Sequence, residues 1–320
     1  MKIIEVKDKT LLIEEREEPQ IGDHEVLIKV KASGINRADI AQKNGLYPPP
    51  PGASDILGLE CSGIIEEVGK EVTSKKPGDE VMALLGGGGY AEYVTCPELH
   101  AIEKPKNLNW VEAAAIPEVF ATCWLNLFME ASMKAGDKVV FHAGASGIGT
   151  AGIQLAKTFG CESFVTAGTK EKIDFCINLG ASNGEVRSKD IFSKIKDWAP
   201  NGVDIMLDPV GGNYFERNLE VLGIEGNLII IGLMGGAKTE LNLGLLMIKR
   251  QKIIGSTIRA RDEKTKNAVM TELSNKLIPH LEVGEIKPII HQSLPFEDCL
   301  EAHRIMESDE NIGKLILELD

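Results

Sequence analysis

The chain has 320 residues, 43% hydrophobic and 26% charged, and its 35 Lys and Arg against 48 Asp and Glu give a net charge of −13. That length exceeds one small core and suits two domains, and the acidic balance argues against general attraction to nucleic acid or an anionic membrane surface. No stretch approaches the roughly 18 uninterrupted apolar residues of a membrane span, so no membrane association is expected.

The amino terminus, MKIIEVKDKTLLIEEREEP, alternates apolar and charged residues. It reads as structure and not as a signal or transit peptide, and cytoplasm is the expected location. Short alternating runs follow: EVLIKVKA at 25–32, SGIIEEVG at 62–69, DEVMALL at 79–85 and YAEYVTC at 90–96. The turn-rich pieces GLYPPPPGASD and GGGG lie between them. This pattern predicts a compact, mostly antiparallel β domain with long loops. Near Pro117 the rhythm changes. Five apolar strands, in KVVFHA, SFVTAG, VDIMLDPV, NLIIIG and KIIGSTI, interleave with helical stretches, which predicts a parallel α/β sheet. Beyond Arg261 an amphipathic helix is expected to about Leu281, then IKPIIHQSL, a helix near Phe296–Met306 and the run GKLILEL, which returns to the first domain.

The segment HAGASGIGTAGIQLAKTFG, His142 to Gly160, joins a predicted strand to a predicted helix. In that context a glycine cluster is meaningful. Gly144 is expected to permit the turn, while Gly147 and Gly149 let the helix start close to the strand and to a ligand. The first-turn N–H groups would then face a pyrophosphate, helped by the helix dipole. Ser146 stands where the usual motif has glycine; it either donates a hydrogen bond to the ligand or caps the helix. In NAD enzymes an acidic residue about 20 residues further on holds the ribose hydroxyls. Here that position, 19 residues beyond Gly149, is Gly168, followed by Thr169, Lys170 and Lys172. No carboxylate is there to repel a 2′-phosphate and cations are at hand, so NADPH is the expected cofactor. Lys170 suits a solvated helix face; Lys172 suits the phosphate.

The six cysteines, Cys61, Cys96, Cys123, Cys161, Cys176 and Cys299, form no close pair, and the six histidines show no i, i+4 pair. Neither a redox dithiol nor a metal centre is expected, and the cysteines read as reduced, partly buried thiols. His142, at a strand end beside the glycine turn, reads as packed and not catalytic.

The stretches ASGINRADIAQKNGLYPPPPGASDILGLE, GGGYAEYV, EAAAIPE, HAGASGIGTAGIQLAK, GSTIRAR and AHRIMESDENIGKLIL carry a likeness over essentially the whole chain. Together they resemble the quinone oxidoreductase branch of the medium-chain dehydrogenase/reductase superfamily, and within it the p53-inducible, zeta-crystallin-like quinone oxidoreductases. The resemblance implies an α/β protein of two domains. A GroES-like, mostly β catalytic domain would occupy 1–117 and a Rossmann-type NADPH domain 118–258, with 259–320 returning to the catalytic domain. It also implies a homodimer through the last cofactor-domain strand, KIIGSTI.

Zinc-dependent relatives carry a cysteine where this chain has Asn36 and a His-Glu pair where it has Leu59-Glu60. Their four clustered cysteines are missing too, so no zinc site is expected. Position by position, the resemblance implies that Asn36, Asp39 and Tyr47 line the nicotinamide and substrate cleft, and that Thr122 lies near the nicotinamide. It places Ser146 near the pyrophosphate and Gly168 and Lys172 in the 2′-phosphate pocket. Gly232 and Leu233 would form the loop after the fifth cofactor-domain strand, and Lys314 would face an anion. Asp39 also reads as a helix cap, and Tyr47 as loop packing. Relatives often have INYR where this chain reads GEVR; Val186 replaces the tyrosine while Arg187 remains, which implies weaker phosphate selectivity.

The implied activity is zinc-independent hydride transfer from NADPH to a small-molecule quinone. A quinone is already electrophilic, so the protein need supply little beyond orientation and desolvation. Tyr47 is the residue expected to orient the carbonyl or deliver a proton. The alternatives are an NADPH-dependent alkenal or enone reductase and, from another class, an NADPH-binding, crystallin-like or RNA-binding protein with little turnover; the acidic charge disfavours RNA.

Overall fold

The structure, a computed structural model, describes residues 1–319. The chain divides into two compact units, Met1–Ala121 with Ile258–Asp320, and Thr122–Thr257.

The first unit opens with a hairpin of β1 (Lys2–Lys7) and β2 (Thr10–Glu15). Then come β3 (Glu25–Gly34), α1 (Arg37–Lys43), β4 (Glu60–Val68), β5 (Glu80–Leu84), β6 (Tyr93–Pro97) and β7 (Ala101–Glu103). Alternation drives these strands: inward residues Val26, Ile28, Val30, Ile65, Val81 and Val94 form one apolar cluster. Helix α2 (Trp110–Ala114) begins in a capping box, where Asn109 Oδ1 accepts from Glu112 N–H at 2.8 Å and Glu112 Oε2 from Asn109 N–H at 2.9 Å. Helix α3 (Pro117–Trp124) has proline at its first position, where the missing N–H costs nothing. The helical stretch from Trp110 to Glu130, interrupted by Glu112 and Glu118, is long and apolar enough to cross a membrane by length and composition alone; most of it is buried inside the protein, as in a core helix.

The second unit holds β8 (Lys138–Phe141), α4 (Gly147–Thr158), β9 (Glu162–Ala167), α5 (Lys170–Leu179), β10 (Asn183–Val186), α6 (Ile191–Trp198), β11 (Val203–Asp208), α7 (Gly212–Val221), β12 (Leu222–Ile230), α8 (Leu243–Lys249) and β13 (Lys252–Gly255). All neighbours pair in parallel, in the order β10-β9-β8-β11-β12-β13. Numbered within the unit this is 3-2-1-4-5-6, the doubly wound arrangement, with its switch point between β8 and β11. The sheet has six strands and not the expected five. The extra one, β10, is an edge strand of sequence NGEV with no apolar run to announce it.

The chain then returns to the first unit through α9 (Glu263–Lys276), α10 (Ile278–Glu282), β14 (Ile290–Pro295), α11 (Cys299–Glu307) and β15 (Lys314–Glu318). Strand β15 pairs antiparallel with β3, completing the sheet β14-β15-β3-β4-β5-β7, with β6 on β3 as well. All six cysteines are free and buried. Burial pushes every one of their thiols upward, Cys161 and Cys299 to about 11 and Cys176 to about 12.

Candidate active site

In the second unit the glycine turn sits at the end of β8, beside the switch point. The residue with left-handed backbone there is Ala143, at φ 56°, and not Gly144. Gly144 is needed for a different reason: a Cβ on it would lie 2.6 Å from Val165 Cβ. Its N–H bonds Thr166 O on β9 at 2.8 Å. A Cβ on Gly149 would lie 2.3 Å from Gly144 O, so glycine lets α4 begin folded over the turn. Gly147 is the first residue of α4, and Ser146 caps it by accepting from Gly149 N–H at 3.1 Å. The cap uses an oxygen lone pair and leaves the Ser146 proton to donate.

Beneath the turn His142 is buried, its Nδ1 3.1 Å from Thr166 Oγ1 and its Nε2 2.9 Å from Asn218 Oδ1. Asn218 Nδ2 donates in turn to Asp208 Oδ2 at 3.0 Å. Burial lowers the His142 pKa and raises that of Asp208. The chain ties the ends of β8 and β11 together, as a packed histidine does.

At the end of β9 a Cβ on Gly168 would lie 2.9 Å from Arg187 Nη2, so the absent side chain admits a guanidinium. Lys172 is half-buried in the first turn of α5, which Thr169 caps; Lys170 instead pairs with Asp174 in the open. Val186 ends β10 directly before Arg187. Nothing in the sequence pointed to Tyr214, whose ring lies 4.9 Å from that of His142; burial raises its hydroxyl pKa and the charge of Arg187 opposes the rise. Thr122 is buried in α3, its carbonyl accepting from Asn126 Nδ2 at 2.8 Å. Gly232 follows β12 where a Cβ would meet Pro209 O at 2.8 Å, and Leu233 is 57% exposed. A nicotinamide dinucleotide fits this unit on two observations, a tight glycine turn that starts α4 against the end of β8 and a cationic strand end with glycine in place of the acid. Gly144, Ser146, Gly147 and Gly149 would hold its pyrophosphate.

In the first unit Lys314 departs from its expectation, and Asn36 and Asp39 are engaged within the fold. Lys314, expected to face a cofactor anion, is buried, and its Nζ donates to Glu60 Oε1 at 2.6 Å, Ile35 O at 2.7 Å and Asn36 Oδ1 at 2.7 Å. An ammonium has three donors, so none is left for a phosphate. Asn36 belongs to the same cluster, its Nδ2 donating to Glu60 Oε1 at 2.9 Å; both ends of its amide are engaged within the fold. Asp39 is fully buried and caps α1. Its carboxylate accepts from Asn36 N–H at 2.8 Å, Gly58 N–H at 2.9 Å and Tyr90 O–H at 3.4 Å. Burial pushes its pKa up to about 6 against those hydrogen bonds. It holds the loop that ends in Gly58.

The same cluster decides the question of zinc. Glu60 faces an ammonium through one oxygen and accepts from Glu118 N–H at 2.8 Å through the other. With Asn36 and Leu59 at the positions of the relatives' thiolate and imidazole, the donor set does not fit zinc. Tyr47 is half-buried at the head of the proline loop, its ring 5.4 Å from the guanidinium carbon of Arg259. Arg259 Nε donates to Gly86 O at 2.8 Å, in the GGGG run that packs on residues 54–58.

A doubly wound sheet with a glycine turn after its first strand, on a chain that also builds a mixed β domain, defines a nicotinamide-dependent oxidoreductase of small molecules. Residues 22–106 match the alcohol dehydrogenase GroES-like domain and residues 147–275 the zinc-binding dehydrogenase family. Human quinone oxidoreductase is 31% identical over 303 residues, 93% of this chain and 90% of the relative. Among solved structures, an NAD-dependent alcohol dehydrogenase superposes with a TM-score of 0.88 at 29% identity, over 100% of both chains. The JamJ enoyl reductase gives 0.88 at 26%, over 100% and 99%. A mycobacterial protein in complex with NADPH gives 0.89 at 26%, over 100% of both. The chain belongs to the medium-chain dehydrogenase/reductase superfamily.

Proposed function

We propose that the protein is a zinc-independent NADPH:quinone oxidoreductase. The observation that carries this reading is the Lys314–Glu60 ion pair with Asn36, which occupies the positions a zinc site would need. Without zinc to polarise it, an acceptor that is already electrophilic, as a quinone is, suits the site best. The likeness to human quinone oxidoreductase supports the same substrate class. NADPH is preferred over NADH because Gly168 removes the ribose-binding acid and Arg187 and Lys172 supply charge. When bound, the cofactor supplies the hydride; the chain binds its phosphates, orients the acceptor and excludes water. Tyr47 offers a flat face against which an aromatic dicarbonyl can stack.

A charge-assisted hydrogen bond is worth about 1.5–3 kcal/mol, or roughly 10- to 150-fold in affinity. Val186 puts the expected NADPH preference at the lower end, about 10-fold. Fluorescence titration of both cofactors checks it, with Lys172→Ala expected to weaken NADPH selectively; equal dissociation constants would refute the preference. Initial rates in the presence of a chelator, with 1,4-benzoquinone and with cyclohexenone, test the substrate class, and faster turnover of the enone would favour the enone reductase reading.

The functional unit proposed is a homodimer through β13. That strand is an edge of its sheet, paired with β12. Beside it in sequence α8 exposes Leu243, Met247 and Ile248, each by two thirds or more of its surface. A two-fold partner would satisfy the open backbone edge and cover these side chains. A monomeric mass by light scattering at micromolar concentration would contradict it.

A further inference from the structure

Arg259 is 3% exposed, and neither Nη1 nor Nη2 has a hydrogen-bond partner although both are shielded from solvent. Among the described residues its side chain makes one hydrogen bond, from Nε to Gly86 O. Burying a cation is costly unless its donors are engaged. An unsatisfied buried group of this kind marks a catalytic role or a place that a bound water or ligand completes.

Two features share its location. The half-buried ring of Tyr47 covers it at 5.4 Å. Glu118, at the start of α3, has its Oε2 buried without a partner, and its charge and that of Arg259 act on each other. Burial, followed by the Glu60 carboxylate, pushes the Glu118 carboxyl up to about 8. Asp39 adds to the rise, while Lys314, Arg259 and Lys266 on α9 oppose it. At neutral pH the group therefore carries its proton and is a donor. The two terminal nitrogens of the guanidinium and one oxygen of the carboxyl are without partners among the described residues, and together they suit an oxygen that is gaining negative charge.

We propose that Arg259 and Glu118 form the oxygen-receiving end of the substrate site, where Arg259 binds the carbonyl oxygen of a conjugated carbonyl compound and Glu118 protonates it. The inference rests on the reductase reading above and deepens it. A reduced nicotinamide, when bound, would supply hydride, the two-electron reductant; as the conjugated system receives it, the carbonyl π pair moves onto oxygen. Arg259 hydrogen-bonds the oxyanion through its terminal nitrogens. The O–H bond of Glu118 then breaks as a new O–H bond forms on the substrate, and the resulting carboxylate recovers its proton from water. A quinone and an enone present the same conjugated oxygen, and the assay separates them.

The test uses the full chain with NADPH and two acceptors, 1,4-benzoquinone and cyclohexenone, and a non-reacting probe, 4-nitrophenol, whose coloured anion reports its own ionisation. For whichever acceptor the wild type reduces, Arg259→Gln is expected to lower kcat about 100-fold, as loss of an oxyanion donor does. Wild-type kcat should fall as pH rises through about 8, because the acid is then lost; Glu118→Gln should lower kcat and abolish that limb. Bound 4-nitrophenol should ionise about one pH unit lower than free in the wild type but not in Arg259→Gln. Arg259→Lys, which keeps the charge without the fork, should retain part of that shift and serves if the glutamine variant misfolds. Should the wild type reduce quinone while Arg259→Gln leaves kcat and the probe unchanged, the guanidinium holds only a buried water and the inference is wrong. Should neither acceptor be reduced while the probe still depends on Arg259, the oxyanion site stands and the reductase reading is what fails.

Discussion

Lys314 and Arg259 are both cations in the first unit, each 3% exposed and each within electrostatic reach of Glu118. Their donors meet opposite fates. Lys314 is saturated by Glu60, Asn36 and Ile35, whereas the terminal nitrogens of Arg259 meet no acceptor. A closed cluster of this kind fixes one arrangement of β15, β4 and the start of α1, because loss of any member strands the others. In the open one only Nε is tied to the fold, through Gly86 O, and the terminal nitrogens add no hydrogen bond to it among the described residues. The difference separates a charge kept for architecture from a charge kept for chemistry, and burial alone does not distinguish them.

That contrast can be broken by replacing each cation with a side chain of similar length. Lys314→Met leaves the fully buried Glu60 without its counter-charge, and denaturant unfolding should show a loss of about 3–5 kcal/mol. Adding Glu60→Gln should restore part of it, since a neutral amide no longer needs the ammonium; no recovery would mean the cost lies in packing. Arg259→Met removes a charge that nothing compensates, so stability should stay within about 1 kcal/mol of wild type or rise. A loss as large as that from Lys314→Met would show that Arg259 belongs to the architecture after all.

The parallel sheet was legible because buried strands in α/β folds are near-continuous apolar runs. Strand β10 was not, since NGEV pairs through its backbone at an edge and needs no apolar face. The glycine turn could be read locally because strand, turn and helix are consecutive, although which residue takes the left-handed backbone, Ala143, could not. The polar partners were beyond reach. Asp39 is fixed by Gly58 and Tyr90, and Lys314 by Glu60, pairings set by how distant strands come together. One signal was available for Glu118: it is the only charge in AAAIPEVFATCW, and a lone carboxyl in an apolar helix asks for a reason. Arg259, between the strand KIIGSTI and the charged run ARDEK, carried no such mark.

The state of the six cysteines has a consequence for durability. Quinones are electrophiles that attach covalently to sulfur, and the species they attack is the thiolate. A thiol pushed up to about 11, as in Cys161 and Cys299, is ionised in only about one molecule in ten thousand at pH 7. The other four are buried as well, with their thiols pushed in the same direction. Under the quinone reading proposed above, the chain offers such acceptors almost no nucleophile of its own.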